Sequence, residues 1–192
     1  MGTGDGLFVY NSGRNDSDKC FIGIDVNARP LQKISERIYR KPAKGGPPNI
    51  LFVQSAIETL PSELEGIANE VHVNFPWGSL LRAVAGGNEV NLRSLGHICA
   101  PHALLTVVIG LDVERDHSEL DRLGLPSLDP NYVRLELPTR YLRAGFEIMK
   151  IETLTGADVS ELKTTWARRL RSGHNRSFIR IVARAVEEGG PG

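Results

Sequence analysis

Three observations predict an α/β fold with a mostly parallel sheet and helices on both faces. Strand-like and helix-like segments alternate along the 192 residues, a glycine turn (Gly2-Thr3-Gly4-Asp5-Gly6) stands at the start, and Asp25 ends an apolar run about 20 residues later. A turn of this kind works at the carboxyl end of a first β-strand. Its glycines let the backbone approach a nucleotide-like ligand, and the helix that follows favours negative charge. Nothing but Met1 precedes the turn here. The expected fold is therefore Rossmann-like with its first strand missing, that strand lying between Lys19–Asp25 and Glu70–Asn74 in the complete sheet.

The remaining elements follow in order. Lys19–Asp25 is a short apolar run that reads as a strand. Pro30 to about Lys41 places Leu31, Ile34 and Ile38 at helical spacing, and Pro42 with Gly45-Gly46 stops the helix. Asn49–Gln54 reads as a buried strand, Pro61 as a short helix start, and Glu70–Asn74 as another strand. A helix runs from Ser79 to about Val84, and His102–Gly110 is a strong strand. The stretch Asp112–Arg143 is polar and broken by proline, helical around Pro138–Ala144. Phe146–Leu154 and Ser177–Val186 read as strands. Between them, Asp158 to about Arg171 carries Val159, Leu162, Trp166 and Leu170 near a 3.6 period. Length predicts one domain over residues 1–192, with 187–192 as a flexible tail.

Composition narrows the setting. No apolar run approaches the roughly 18 residues of a membrane span, and no signal peptide precedes the glycines. Cys20 and Cys99 cannot form a disulfide framework or a metal-ligand spacing, so both read as buried apolar residues of a reduced, cytoplasmic protein. None of the histidines forms a metal or nucleophile constellation, and no metal is expected. The net charge is zero but unevenly spread. Residues 33–44 hold Lys33, Arg37, Arg40, Lys41 and Lys44 against Glu36. Residues 163–184 hold seven bases and no acid. Together they carry 12 of the 23 Lys and Arg residues, leaving 11 bases against 22 acids elsewhere. Two such runs on an acidic body point to a polyanionic partner.

Three candidate site elements fall at strand ends, where ligands bind in doubly wound folds. Asp25 can accept hydrogen bonds from both hydroxyls of a ribose. A lone acid at a strand end is commonly a helix cap, but its distance from the glycine turn favours the ribose. The cofactor is then a dinucleotide or S-adenosylmethionine, and the G-x-G-x-G spacing favours the latter. Glu58, after small Ala56, falls where the adenine of such a cofactor lies, or is a surface acid before the Pro61 helix. Asn74-Phe75-Pro76-Trp77 is similar to the Asn-Pro-Pro-aromatic motif of methyltransferases that act on planar nitrogens. Its fixed turn aims carbonyls at the reacting nitrogen and lays an aromatic face against a base. Trp166, helically spaced with Leu162 and Leu170, reads as core on its own. Beside Trp77, it can form the second wall around an extruded base.

These stretches together carry a resemblance. GTGDG, FIGID, KPAKGG, NFPWGSLL and TTWARRLRSGHNRSF are similar to the kanamycin–apramycin resistance methyltransferases, which modify N1 of adenine 1408 in 16S rRNA within the small ribosomal subunit. The likeness runs from Gly2 to about Val186. It implies a class I S-adenosylmethionine-dependent methyltransferase acting as a monomer. By position it implies Gly2 and Gly4 at the methionine end of the cofactor and Asp25 at its ribose. Ala56, Ile57 and Glu58 would surround its adenine, with Asn74 and Phe75 closing the pocket. Trp77 and Trp166 look like the pair that stacks on the flipped adenine, with the hydroxyl of Thr164 nearby. Lys33, Arg37, Arg40, Lys41, Lys44, Arg169 and Arg176 would contact rRNA phosphates.

The chain departs from that family in two ways. Members begin with a β-hairpin and a first strand, expected some 30 residues ahead of Met1 by typical strand lengths. Glu36 also stands in a helix where relatives can carry a base. The competing functions are a methyltransferase for another nucleic acid or a small aromatic nitrogen compound, and a non-catalytic RNA-binding remnant.

Overall fold

The computed structural model describes residues 1–41, 44, 46–126, 128–129, 131–162 and 176–186. It divides into two compact units, Met1–Ala56 with Gly156–Ser172, and Ile57–Thr155 with Gly173–Gly192.

In the first unit the glycine turn leads into α1 (Leu7–Asn15), followed by β1 (Phe21–Asp25), α2 (Gln32–Ile38) and β2 (Ile50–Gln54). A 3-10 turn, Arg29–Leu31, with its proline starts α2. The short helix α7 (Gly156–Glu161) closes this unit's described part. β1 and β2 pair in parallel from Phe21 opposite Ile50 to Asp25 opposite Gln54. Val9 and Tyr10 of α1, Leu31 and Ile34 of the α2 segment, and Ile50 of β2 make the buried cluster, with Phe21, Ile38 and Phe52 packed on it. The apolar period read at Leu31, Ile34 and Ile38 is thus the face that packs inward. Asn49 ties down the return from α1 to β1, its side-chain amide donating to the carbonyls of Gly13, Asp16 and Lys19.

The second unit contains β3 (Ala68–Asn74), α3 (Gly78–Gly86), α4 (Glu89–Ile98), β4 (Cys99–Leu111), α5 (Val113–Arg122), a π-helical turn (Tyr132–Glu136), α6 (Leu137–Arg143), β5 (Phe146–Leu154) and β6 (Ser177–Ala185). Its sheet runs in the order β3-β4-β6-β5. β3 and β4 are parallel, whereas β6 is antiparallel to both β4 and β5. The expectation of a mostly parallel sheet therefore holds for the first pairs and reverses at β6. Val73, Leu81, Val84, Leu92, Leu95, Leu105, Val107, Phe146 and Ile181 fill the core. Two tyrosines anchor the helices to it, Tyr141 donating to the Val84 carbonyl at 2.8 Å and Tyr132 to that of Ala85 at 3.1 Å.

Among the described residues β1 pairs only with β2, and β3 only with β4. Three local differences from the sequence reading stand out. The Pro61 start forms only a 3-10 turn, Ser62–Leu64. β2 is half-exposed rather than buried. Cys20 is exposed while Cys99 is buried, and burial pushes the Cys99 thiol up to about 11.

Candidate active site

The glycine turn owes its shape to backbone that only glycine adopts cheaply. Gly2, Gly4 and Gly6 all have positive φ, at 63°, 57° and 74°. Gly6 is also a close approach, since a Cβ there would meet Ile34 of α2 and Phe52 of β2 within 3 Å. At Gly4 the opposite holds: no atom stands within 4 Å of where a Cβ would be, so the turn faces open space.

Asp25 is built into the turn. Its Oδ2 accepts the Gly4 N–H at 2.7 Å and its Oδ1 accepts the Asn27 N–H at 2.9 Å. Ser55, in the strand end beside it, donates its N–H to the Asp25 carbonyl at 3.0 Å. The ribose and cap readings of Asp25 are therefore not exclusive. A carboxylate has about four acceptor positions, and the backbone uses two. Thr3 Oγ1 is buried with no hydrogen-bond partner among the described residues.

The second unit presents Asn74-Phe75-Pro76-Trp77 at the carboxyl end of β3. Phe75 has φ 53°, a strained value for a bulky residue. Three contacts hold it there. Its N–H donates to the Val108 carbonyl at 2.8 Å, its ring meets Phe178 edge-on at 6.2 Å, and Gly110 leaves room that a Cβ would take from both rings. The turn releases Trp77, which is 54% exposed at the start of α3. Gly78, at φ 59° with open space around it, completes the reversal. Asn74 Oδ1 is buried and has no hydrogen-bond partner among the described residues.

Ile57 is buried in a 3-10 turn, Ile57–Thr59, whose exposed Glu58 accepts a long 3.5 Å contact from the Asn91 amide in α4. Lys33, Arg37, Arg40, Lys41 and Lys44 are all exposed. Arg176 is not. Its Nη1 donates to the Gly110 carbonyl at 2.8 Å and to Asp116 Oδ2 at 2.9 Å, the two side chains being 13% and 10% exposed. The same Asp116 oxygen accepts the Asp112 N–H at 3.0 Å. The resemblance implies a phosphate contact for Arg176, whereas its pairing with Asp116 has no signature in the sequence, because no spacing connects residues 60 positions apart. Thr164, Trp166 and Arg169 lie outside the described residues.

A glycine turn with a carboxylate at the next strand end, and a sheet whose last strand inserts antiparallel, define a class I methyltransferase of the S-adenosylmethionine-dependent kind. A family model, NpmA: 16S rRNA (adenine(1408)-N(1))-methyltransferase, matches residues 1–185. A 16S rRNA (adenine(1408)-N(1))-methyltransferase of Escherichia coli is 36% identical over 94% of this chain and 83% of its own length. One from Streptoalloteichus hindustanus is 35% identical over 92% and 80%. Among solved structures, the aminoglycoside resistance methyltransferase NpmB1 shares 44% identity at TM-score 0.81, covering 96% of this chain and 84% of that one. A tryptophan-to-alanine variant of the 16S rRNA (adenine(1408)-N(1))-methyltransferase from Catenulisporales acidiphilia, with cosubstrate SAM, gives TM-score 0.87 at 34% identity over 100% and 86%. The chain belongs to the 16S rRNA (adenine(1408)-N(1))-methyltransferase family.

Proposed function

We propose that this chain methylates N1 of adenine 1408 in the 16S rRNA of the small ribosomal subunit, acting as a cytoplasmic monomer and conferring aminoglycoside resistance. S-adenosylmethionine supplies the electrophilic methyl group. The residues present fit it. Gly4 offers a backbone with open space in front, Asp25 keeps acceptor capacity for ribose hydroxyls, and Thr3 beside them carries a buried hydroxyl with no hydrogen-bond partner among the described residues. By family position Gly2 and Gly4 would line the methionine end. Ala56, Ile57 and Glu58 would surround the adenine, with Asn74 and Phe75 at the closing edge.

The observation that carries the reading is Trp77, a large aromatic held out to solvent by a strained, multiply anchored turn. Such strain persists where the surroundings over-determine it, and it clusters at functional sites. Trp77 would stack on the extruded adenine, with Trp166 as the opposite wall and Thr164 beside it. Each stacking contact is worth roughly 1–3 kcal/mol. Adenine N1 carries an available lone pair in the ring plane, so a base clamped by its faces leaves that pair free to attack the methyl carbon. The methyl group would leave the cofactor's sulfur as it bonds to N1, and the product base would take the positive charge. No proton must leave first, so positioning and exclusion of water suffice.

The test is transfer from labelled S-adenosylmethionine to intact small subunits, compared with free 16S rRNA and tRNA. The intact subunit should be the preferred acceptor. Trp77→Ala and Trp166→Ala should each abolish transfer while leaving cofactor affinity within about twofold. Wild-type turnover in either variant removes that residue from the proposed role.

A further inference from the structure

The four tyrosines of this chain divide sharply. Tyr10, Tyr132 and Tyr141 are 8%, 4% and 0% exposed, whereas Tyr39 is 82% exposed. Water contact over a whole aromatic ring forgoes the burial that stabilises most such side chains. Tyr39 stands at the carboxyl end of α2, its N–H donating to the Ser35 carbonyl at 3.3 Å. Arg37, Arg40 and Lys41 lie within one turn of it, and all are exposed.

Two described residues beyond Tyr39 are bonded back to this helix end. Lys44 N–H donates to the Lys41 carbonyl at 2.7 Å, and Gly46 N–H reaches the same carbonyl at 3.4 Å. Gly46 approaches so closely that a Cβ there would overlap the Arg40 carbonyl. The aromatic ring and the nearest cations therefore stand at a helix end to which Lys44 and Gly46 are tied.

Resting on the rRNA reading above, we infer that Tyr39 is a docking residue that stacks on an unpaired nucleobase of the 16S rRNA. The cations around it hold the neighbouring phosphates. The positive surface selects a polyanion, and the exposed ring adds what charge cannot supply, a planar contact that every base can meet. Tyr39 acts at the recognition surface and has no part in the chemistry.

The two kinds of contact separate by salt. A phosphate contact releases counterions and steepens the fall of affinity with salt, whereas a stacking contact does not. Affinity of the protein for intact small subunits is measured across a salt series for wild type, Tyr39→Ala, Tyr39→Phe, Tyr39→Leu and Lys41→Glu. Tyr39→Ala should weaken binding roughly tenfold at every salt concentration with the slope unchanged. Tyr39→Phe should restore it, Tyr39→Leu should not, and Lys41→Glu should flatten the slope. Cofactor affinity should stay the same throughout. Wild-type affinity in Tyr39→Ala overturns the inference, as does a changed slope. Restoration by Tyr39→Leu overturns it in favour of an apolar pocket on a ribosomal protein. The inference and the reading beneath it fail separately: a wild type that binds subunits without methylating them removes the proposed activity, while the Tyr39 series still reports on docking.

Discussion

Two basic stretches look alike as sequence and differ in structure. On and after α2, Lys33, Arg37, Arg40, Lys41 and Lys44 are exposed, and none forms an ion pair among the described residues. On β6 and just before it, every described arginine is engaged by an acid: Arg176 by Asp116, Arg180 by Glu152 and Arg184 by Glu147. Charge that is already paired within the fold is poorly placed to seek phosphate, and unpaired charge on one helix end is well placed. The count of 12 bases in two runs overstated the second stretch because the acids facing it come from α5 and β5, far away in the chain.

The largest effect should come from breaking the most buried pair. Asp116→Ala leaves the Arg176 guanidinium with one carbonyl partner in a nearly dry setting, and should cost about 3 kcal/mol by denaturant unfolding. Arg184→Ala, at a pair more than two-fifths exposed, should cost less than about 1 kcal/mol. Equal losses at the two sites would erase the distinction between the buried clamp and the surface pairs.

Next in size is the exposed stretch on and after α2. Lys41→Glu with Lys44→Glu should weaken small-subunit binding roughly tenfold or more and lower the salt slope, with unfolding and cofactor binding unchanged. A flat salt dependence of the wild type would make these cations an ordinary solvated face.

The smallest effect is one of pH. Lys150 first, then Arg180, hold the Glu152 carboxyl below its ordinary value. A depressed carboxyl contributes stability above its unfolded pKa and loses it as pH falls through the folded one. Glu152→Gln should therefore lower the thermal midpoint slightly near pH 7. The gap should close as pH drops below about 4, the ordinary range for Glu. A gap that widens in acid would contradict the assignment.

Legibility in the sequence followed the range of the interactions. The β4, β5 and β6 strands are visible because their apolar residues meet the core, as Leu105, Phe146 and Ile181 show. Asp25 and the glycine turn are visible because each is a local signal, a G-x-G-x-G run and an acid that ends an apolar strand, and the Gly4–Asp25 bond then joins them. Helix α4 went unread although Asn88 caps it and Leu92 and Leu95 are fully buried, since the glycine pair before it reads as a loop. Helix α5, almost entirely polar, has no apolar period to read. The antiparallel insertion of β6 and the Asp116–Arg176 clamp are pairings across many residues, which no local pattern encodes. Cys20 was misread as buried because residue type alone does not reveal a strand's edge.

The measurement that bears most directly on the function is the position of the transferred methyl group. Intact small subunits incubated with the protein and S-adenosylmethionine would be digested and their rRNA mapped by mass spectrometry. The account predicts 1-methyladenosine at position 1408 of 16S rRNA and no new modification elsewhere. A methyl group at another nucleotide, at another atom of that adenine, or only in tRNA would contradict it.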